Sequence, residues 1–215
     1  VIGIIFDFFD GFAARLLKVS GELGKQLDSL ADMVTSGVVP GVIMFKLIQQ
    51  NLISESTSSY NTYFDISFFD VSIIGLILTL AACYRLAKFN IDTRQSDSFI
   101  GLPTPAMSLF VISLPLIQQS SDIEIVNTLL SNNYFLISIT WFLSFLMNAE
   151  IPLFSLKFKD YSLKNNVVKY IFLLISLILI VFFKLISIPI IILLYVVLSM
   201  INNVINKSNK INSNS

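Results

Sequence analysis

The chain has 215 residues, 55% of them hydrophobic and only 13% charged, with a mean hydropathy of +0.80, whereas a soluble domain averages about 45 to 50% apolar and about 25% charged. This composition excludes a soluble enzyme, a disordered tail and a disulfide-framed secreted module, and predicts an all-α, polytopic bundle of transmembrane helices. The 14 Lys and Arg balance 14 Asp and Glu, and no basic run is long enough to track phosphates, which argues against nucleic acid as a partner.

Apolar runs predict spans at residues 1–12, 27–48, 66–89, 102–118, 134–154, 167–183 and 187–201, seven in all. The run at 102–118 and the closing pair, parted only by residues 184–186, are short for a span. Val1 opens the chain inside an apolar run without an initiator methionine. The expectation is a fragment lacking an upstream helix, which would bring the whole to eight spans with both termini inside. The membrane domain is expected over residues 1–205, with 206–215 as a polar tail. No internal repeat is evident, which weighs against an inverted-repeat transporter.

Lys and Arg favour the cytoplasmic side of a span end. Arg15, Lys18 and Lys25 lie in the first connection; Arg85, Lys88 and Arg94 flank the third; Lys157, Lys159, Lys164 and Lys169 flank the fifth; Lys207 and Lys210 lie in the tail. These alternate connections hold twelve of the fourteen cations, leaving only Lys46 and Lys184 for the opposite side. The connections at 49–65 and 119–133 carry no cation, but do carry Glu55, Asp65, Asp122 and Glu124. The first, third, fifth and terminal connections are therefore expected to be cytoplasmic.

There is no histidine, and the one cysteine, Cys83, cannot form an intramolecular disulfide. Acid, base or metal chemistry must rest on carboxylates. Asp7 and Asp10 are three apart in the first apolar run, while Gly24, Asp28 and Asp32 recur every four residues, drifting only about 40° per step around a helix. A short basic connection joins the two segments, so the four carboxylates can face one another across a helix pair. Ionised carboxylates in a span cost roughly 2.5 to 3.5 kcal/mol each and would repel one another. They need cations. An all-oxygen set suits Mg²⁺ or Mn²⁺, and four Asp in two stripes can hold two such ions, the arrangement that clamps attacking and leaving oxygens in phosphoryl transfer. Gly11, Ala14 and Gly24 are small enough to let a nucleotide diphosphate approach, and Arg15 offers a fixed cation to phosphate oxygens. Interfacial aspartates and close-packed glycines would account for any one of these residues, but not for the set together.

The string Asp7-x2-Asp10-Gly11-x2-Ala14-Arg15-x8-Gly24-x3-Asp28-x3-Asp32 resembles the signature of the CDP-alcohol phosphatidyltransferase family at every fixed position, a far more specific match than a lone glycine motif. The resemblance implies that Asp7, Asp10, Asp28 and Asp32 ligate a two-metal centre of Mg²⁺ or Mn²⁺ at the cytoplasmic interface. It further implies that Asp32 also serves as catalytic base, and that Asp10, Gly11, Ala14, Arg15 and Gly24 line the CDP site. It implies a homodimer and attack of an alcohol on a CDP-linked lipid with release of CMP.

The signature leaves the acceptor open. Residues 27–40, Arg85-Leu-Ala-Lys88-Phe-Asn90, residues 99–106 and residues 150–157 resemble the bacterial branch of the family that accepts L-serine. That branch implies CDP-diacylglycerol and L-serine as partners among membrane lipids, in a bacterial cytoplasmic membrane with the site facing inward. Arg85, Lys88 and Asn90 are candidates for the serine carboxylate or the lipid diphosphate, although Arg85 and Lys88 could equally be snorkelling to headgroups. Glu150, near Asn148, is a candidate for the serine ammonium. Tyr195 and Trp141 read as core or lipid-facing, Cys83 as packing, and Pro103 as part of the rigid start of the fourth span. Two alternatives remain: the same chemistry with glycerol 3-phosphate or inositol phosphate as acceptor, and an ion transporter that uses the aspartates as its ion site.

Overall fold

A computed structural model describes residues 21–57, 71–92, 99–154 and 166–213. The run at 1–12, with Asp7, Asp10, Gly11, Ala14 and Arg15, lies outside the described residues, as do Arg94, Lys157, Lys159 and Lys164. Helix α1 (Glu22–Met33) continues through a five-residue π-helical segment (Val34–Val38) into α2 (Val39–Thr57). A 3₁₀ turn (Ile73–Leu76) opens α3 (Ile77–Ile91); then follow β1 (Phe99–Ile100), α4 (Thr104–Ser120), α5 (Glu124–Leu130), α6 (Asn133–Asn148) and β2 (Pro152–Leu153). Helix α7 (Val167–Phe183) and α8 (Ser187–Ser213) are joined by a 3₁₀ turn (Lys184–Ile186).

Three described stretches are long and apolar enough to cross a membrane, Gln26–Ser54, Ile73–Ile91 and Val167–Ile205; α5 and α6, bent by 74° at their junction, pass together as a fourth. Most predicted runs coincide with helices, but the described residues hold three or four candidate spans where six runs were expected: α7 and α8 pass together as one stretch, α4 with its 17 residues is not among them, and 134–154 does not run through. The helix stops at Asn148, Ala149 turns extended, and Pro152–Leu153 forms a strand. Pro152 has no N–H to give a helix and disfavours helical backbone at Ile151. The expected polar connection at 119–133 likewise contains α5. Helix α4 starts from Pro103 as its N-cap, with Pro105 in the first turn, where a missing N–H costs nothing.

The core sits between α2, α3, α4 and α6, where Met44, Ile48, Leu78, Met107 and Leu143 are fully buried. Outward faces are apolar as well, with Leu80, Phe145 and Phe182 among the exposed side chains, as a helix surface solvated by lipid requires. Trp141 points outward and is 57% exposed. With no hydrophobic gain from burying one lipid-like face against another, close approach must come from small residues. A Cβ on Gly75 would lie 2.8 Å from Met44 C and Phe45 Cα of α2, so the start of α3 rests directly on the α2 backbone. At this same end of the bundle, Asn51 Nδ2 of α2 donates to Leu130 O of α5 at 2.9 Å. Gly75→Ala is expected to lower stability by about 1–3 kcal/mol by forcing α2 and α3 apart. Thermal unfolding in detergent reads this directly, and an unchanged midpoint would mean that the two helices separate freely.

Candidate active site

On α1 the two faces differ in kind. Leu23, Leu27 and Leu30 form one exposed stripe, while Gly24, Asp28 and Asp32 form another about a third of a turn round. Asp28 is exposed and Asp32 half-buried. No described atom lies within 4 Å of a Cβ built on Gly24, so the stripe is open at its Gly24 end among the described residues, while at its other end Asp32 is half-buried. Two oxygen donors a helical turn apart fit a hard divalent cation. Among the described residues no cluster of three acidic, His or Cys side chains forms; the other two predicted ligands, Asp7 and Asp10, lie outside them.

Asp32 is followed at once by the π-helical segment, a local widening that frequently accompanies functional sites. Its carbonyls draw hydroxyl donors from neighbouring helices: Thr79 Oγ1 of α3 donates to Gly37 O at 3.0 Å and Ser108 Oγ of α4 to Thr35 O at 3.5 Å. A Cβ on Gly37 would lie 3.2 Å from Ala82 Cβ, so α3 crosses close beside the segment and carries Arg85 to the level of Asp32.

Arg85 is buried, at 7% exposure, and within electrostatic reach of Asp32. Its Nη2 donates to Gly101 O at 3.4 Å, and its Nε is buried without a hydrogen-bond partner among the described residues. One turn on, Asn90 Nδ2 donates to Ser29 Oγ at 2.9 Å while Ser29 Oγ donates to Asn90 Oδ1 at 3.2 Å, tying the end of α3 to the helix of Asp28 and Asp32. Lys88 Nζ meets Glu150 Oε1 at 3.2 Å. Asn148 Nδ2 donates to Ala81 O at 3.2 Å, docking the end of α6 on α3.

Gly101 stands where these segments meet. Its φ of +73° is one that residues with a side chain rarely adopt, and a Cβ there would lie 3.0 Å from Ala149 O and nearer still to Met147 O. Its N–H donates to Ile151 O at 2.9 Å, and β1 pairs antiparallel with β2, Phe99 opposite Leu153 and Ile100 opposite Pro152. The three sequence stretches 85–90, 99–106 and 150–157 thus meet beside Asp32 in their described parts. Of the predicted site residues, Gly24, Asp28, Asp32, Arg85, Lys88, Asn90 and Glu150 gather at this end of the bundle. Ser29 and Thr79 were missed by sequence reasoning; Ser29 occupies a variable position inside the signature, and Thr79 stands in an apolar run, so neither carries a signal of its own.

A sequence profile of the CDP-alcohol phosphatidyltransferase family matches residues 1–146, more than half of the chain. The chain belongs to that family. Among relatives, it is 33% identical over 116 residues to the CDP-diacylglycerol–serine O-phosphatidyltransferase of Bacillus subtilis, covering 52% of this chain and 55% of that protein. It is 35% identical over 118 residues to the protein of the same name from Helicobacter pylori, covering 52% of this chain and 42% of that one. It is also 25% identical over 141 residues to the archaetidylserine synthase of Methanothermobacter thermautotrophicus, covering 64% and 53%. The chain spans about half the length of these relatives, or somewhat less.

Gly101→Ala combines a strained φ with a clash against two carbonyls and is expected to cost about 2–4 kcal/mol. It should also speed hydrogen exchange at the Leu102 amide, which donates to Leu146 O at 2.9 Å; a variant as stable and as protected as the parent would contradict the tight junction described here.

Proposed function

We propose that the chain is the membrane domain, over residues 1–205, of a phosphatidylserine synthase that transfers the phosphatidyl group of CDP-diacylglycerol to the hydroxyl of L-serine and releases CMP. The observation that carries this reading is the convergence, at the Asp28 and Asp32 end of α1, of the Arg85–Asn90 stretch with Gly101 and Glu150. Two of the relatives named above bear the name CDP-diacylglycerol–serine O-phosphatidyltransferase. In this reading the seven apolar runs of the sequence, 1–12 among them, each count as a span, set in a bacterial cytoplasmic membrane with the site facing the cytoplasm. The chain acts as a homodimer in this proposal, on the family resemblance alone.

Asp32 takes the proton of the serine hydroxyl, the freed oxygen bonds to the lipid-linked phosphorus, and the bond from that phosphorus to the CMP oxygen breaks. Asp7, Asp10, Asp28 and Asp32 would hold two Mg²⁺ or Mn²⁺ ions, which when bound supply neutralisation of the diphosphate charge. Asp10, Gly11, Ala14, Arg15 and Gly24 line the CDP side. Arg85 presents its buried guanidinium to the serine carboxylate or the lipid diphosphate. Asn90, held by Ser29, fixes the edge of the site. Glu150 reaches the serine ammonium while sharing Lys88, and the pairing of those two charges favours a zwitterionic acceptor over a dianion such as glycerol 3-phosphate.

In liposomes with CDP-diacylglycerol and divalent metal, L-serine should drive CMP release, which Asp32→Asn lowers about 10²–10⁴-fold and chelation abolishes. Release with glycerol 3-phosphate or inositol phosphate alone would move the acceptor assignment. No release with any acceptor, but metal- or proton-coupled flux, would favour the transporter. Arg85→Ala should raise the KM for serine or for the CDP-lipid roughly 10- to 100-fold, the worth of a lost charge-assisted hydrogen bond; unchanged KM values for both would remove Arg85 from the site.

A further inference from the structure

The family profile ends at residue 146, yet the structure ties the last helix to the strand that pairs with the backbone before Gly101, whose carbonyl Arg85 meets. Tyr195, Ser199 and Asn203 stand four residues apart along α8; Asn203 addresses β2 and the other two address Phe154, the residue that follows it. The Tyr195 hydroxyl donates to Phe154 O at 2.7 Å, the Phe154 N–H donates to Ser199 Oγ at 3.4 Å, and Asn203 Nδ2 donates to Pro152 O at 2.6 Å. Ser199 is fully buried and donates back to Tyr195 O at 2.7 Å. The Phe154 ring meets Tyr195 edge-on at 5.0 Å and Phe172 of α7 at 5.9 Å, so both closing helices grip it.

The match of helix to strand has a geometric basis. Four residues of helix rise about 6 Å, and two residues of strand rise about 6.6 Å, so the stripe keeps pace with the strand: Tyr195 and Ser199 take the carbonyl and the N–H of Phe154, and Asn203 takes the carbonyl of Pro152. The backbone of a strand points its groups alternately to either side. Here Pro152 and Phe154 bond to α8, while Ile151 O receives the N–H of Gly101. β2 is thereby bonded along both edges, to β1 on one side and to a row of side chains on the other. From β1 the connection runs through Gly101 O to Arg85 and so to Asp32.

We infer that α8 is a clamp on the active site: the stripe Tyr195, Ser199 and Asn203 fixes β2 and, through β1 and Gly101, holds Arg85 beside Asp32. The three are positioning residues, and their effect on catalysis rests on the transfer reaction proposed above. Without the stripe, Phe154 and Pro152 would leave backbone groups unpaired in an apolar bundle, and the ladder would shift to satisfy them. The Gly101 carbonyl would move with it.

The test uses the whole protein in nanodiscs, comparing the parent with a Tyr195→Phe, Asn203→Ala double variant and with Tyr195→Phe alone, which removes one oxygen atom and keeps the ring. Two lost hydrogen bonds should speed exchange of the Gly101 and Leu102 amides about tenfold and raise the reactivity of Arg85 toward phenylglyoxal by a similar factor. The KM of the substrate that Arg85 meets should rise about five- to tenfold, with kcat within about twofold. Tyr195→Phe alone should show smaller changes of the same sign. Unchanged exchange at Gly101 and Leu102, unchanged Arg85 reactivity, or raised exchange with unaltered KM each overturns the clamp. So does a rise in exchange spread evenly over α3 and α6, which would mark general loosening. If the parent releases no CMP with serine, the proposed reaction falls by itself, and exchange with Arg85 reactivity then decides the clamp.

Discussion

The structure turns on a buried guanidinium. Arg85 lies inside an apolar bundle, where an isolated charge would cost several kcal/mol after relaxation, and the molecule offers it the Gly101 carbonyl and the nearby carboxylate of Asp32. Both partners must be brought to it by separate elements. Asp32 arrives on α1, just ahead of the π-helical segment; Gly101 arrives on a backbone bend with positive φ, stabilised by bonds to residues at and beyond the end of α6. Non-helical backbone in such a bundle persists only where its polar groups are met by protein. The two-stranded ladder therefore exists because side chains of α8 on one edge and β1 on the other complete it.

The helices that frame this arrangement are held by contacts of small reach. Gly75 lets α3 rest on the α2 backbone at one end, and Gly37 admits α3 beside the π-helical segment nearer the other. Between them α3 is fixed along its length, and this turns a general packing preference into a defined height for Arg85, Lys88 and Asn90. The reciprocal Ser29 and Asn90 bonds then tie α1 to the end of α3, which fixes the direction in which the stripe of Gly24, Asp28 and Asp32 faces.

Much of this was legible from residues alone, for identifiable reasons. Apolar runs announce helices because nothing else can satisfy the backbone in lipid, and the four-residue recurrence of Gly24, Asp28 and Asp32 defines a stripe whatever surrounds it. The break after Asn148 was hidden because Ile151, Leu153 and Phe154 are as apolar as the helix before them; Glu150 and Pro152 alone mark the change. The π-helical segment has no sequence signature, since it depends on hydroxyls from Thr79 and Ser108 that are distant in the chain. Tyr195 read as a core or lipid-facing residue, yet its spacing to Ser199 and Asn203 was a usable signal: three polar groups at four-residue intervals on an apolar helix imply a partner with a regular row of backbone groups.

The charge balance at the end of the bundle follows from the same constraint. Lys88 and Glu150, 29% and 64% exposed, sit at the rim where water and headgroups screen them, and their mutual pairing adds little to stability. Arg85 is deeper and cannot be screened in that way, so its field is the one an incoming anionic group meets in a low-dielectric setting. Under the proposed reaction, an acceptor bearing one carboxylate and one ammonium would engage the deep cation and the rim carboxylate together without leaving either of its own charges bare. A dianionic acceptor would bring two charges to a deep cation already shared with Asp32. Burial, rather than the number of cations, is therefore what would discriminate between acceptors at this site, and burial is set by the ladder and the helix that closes over it.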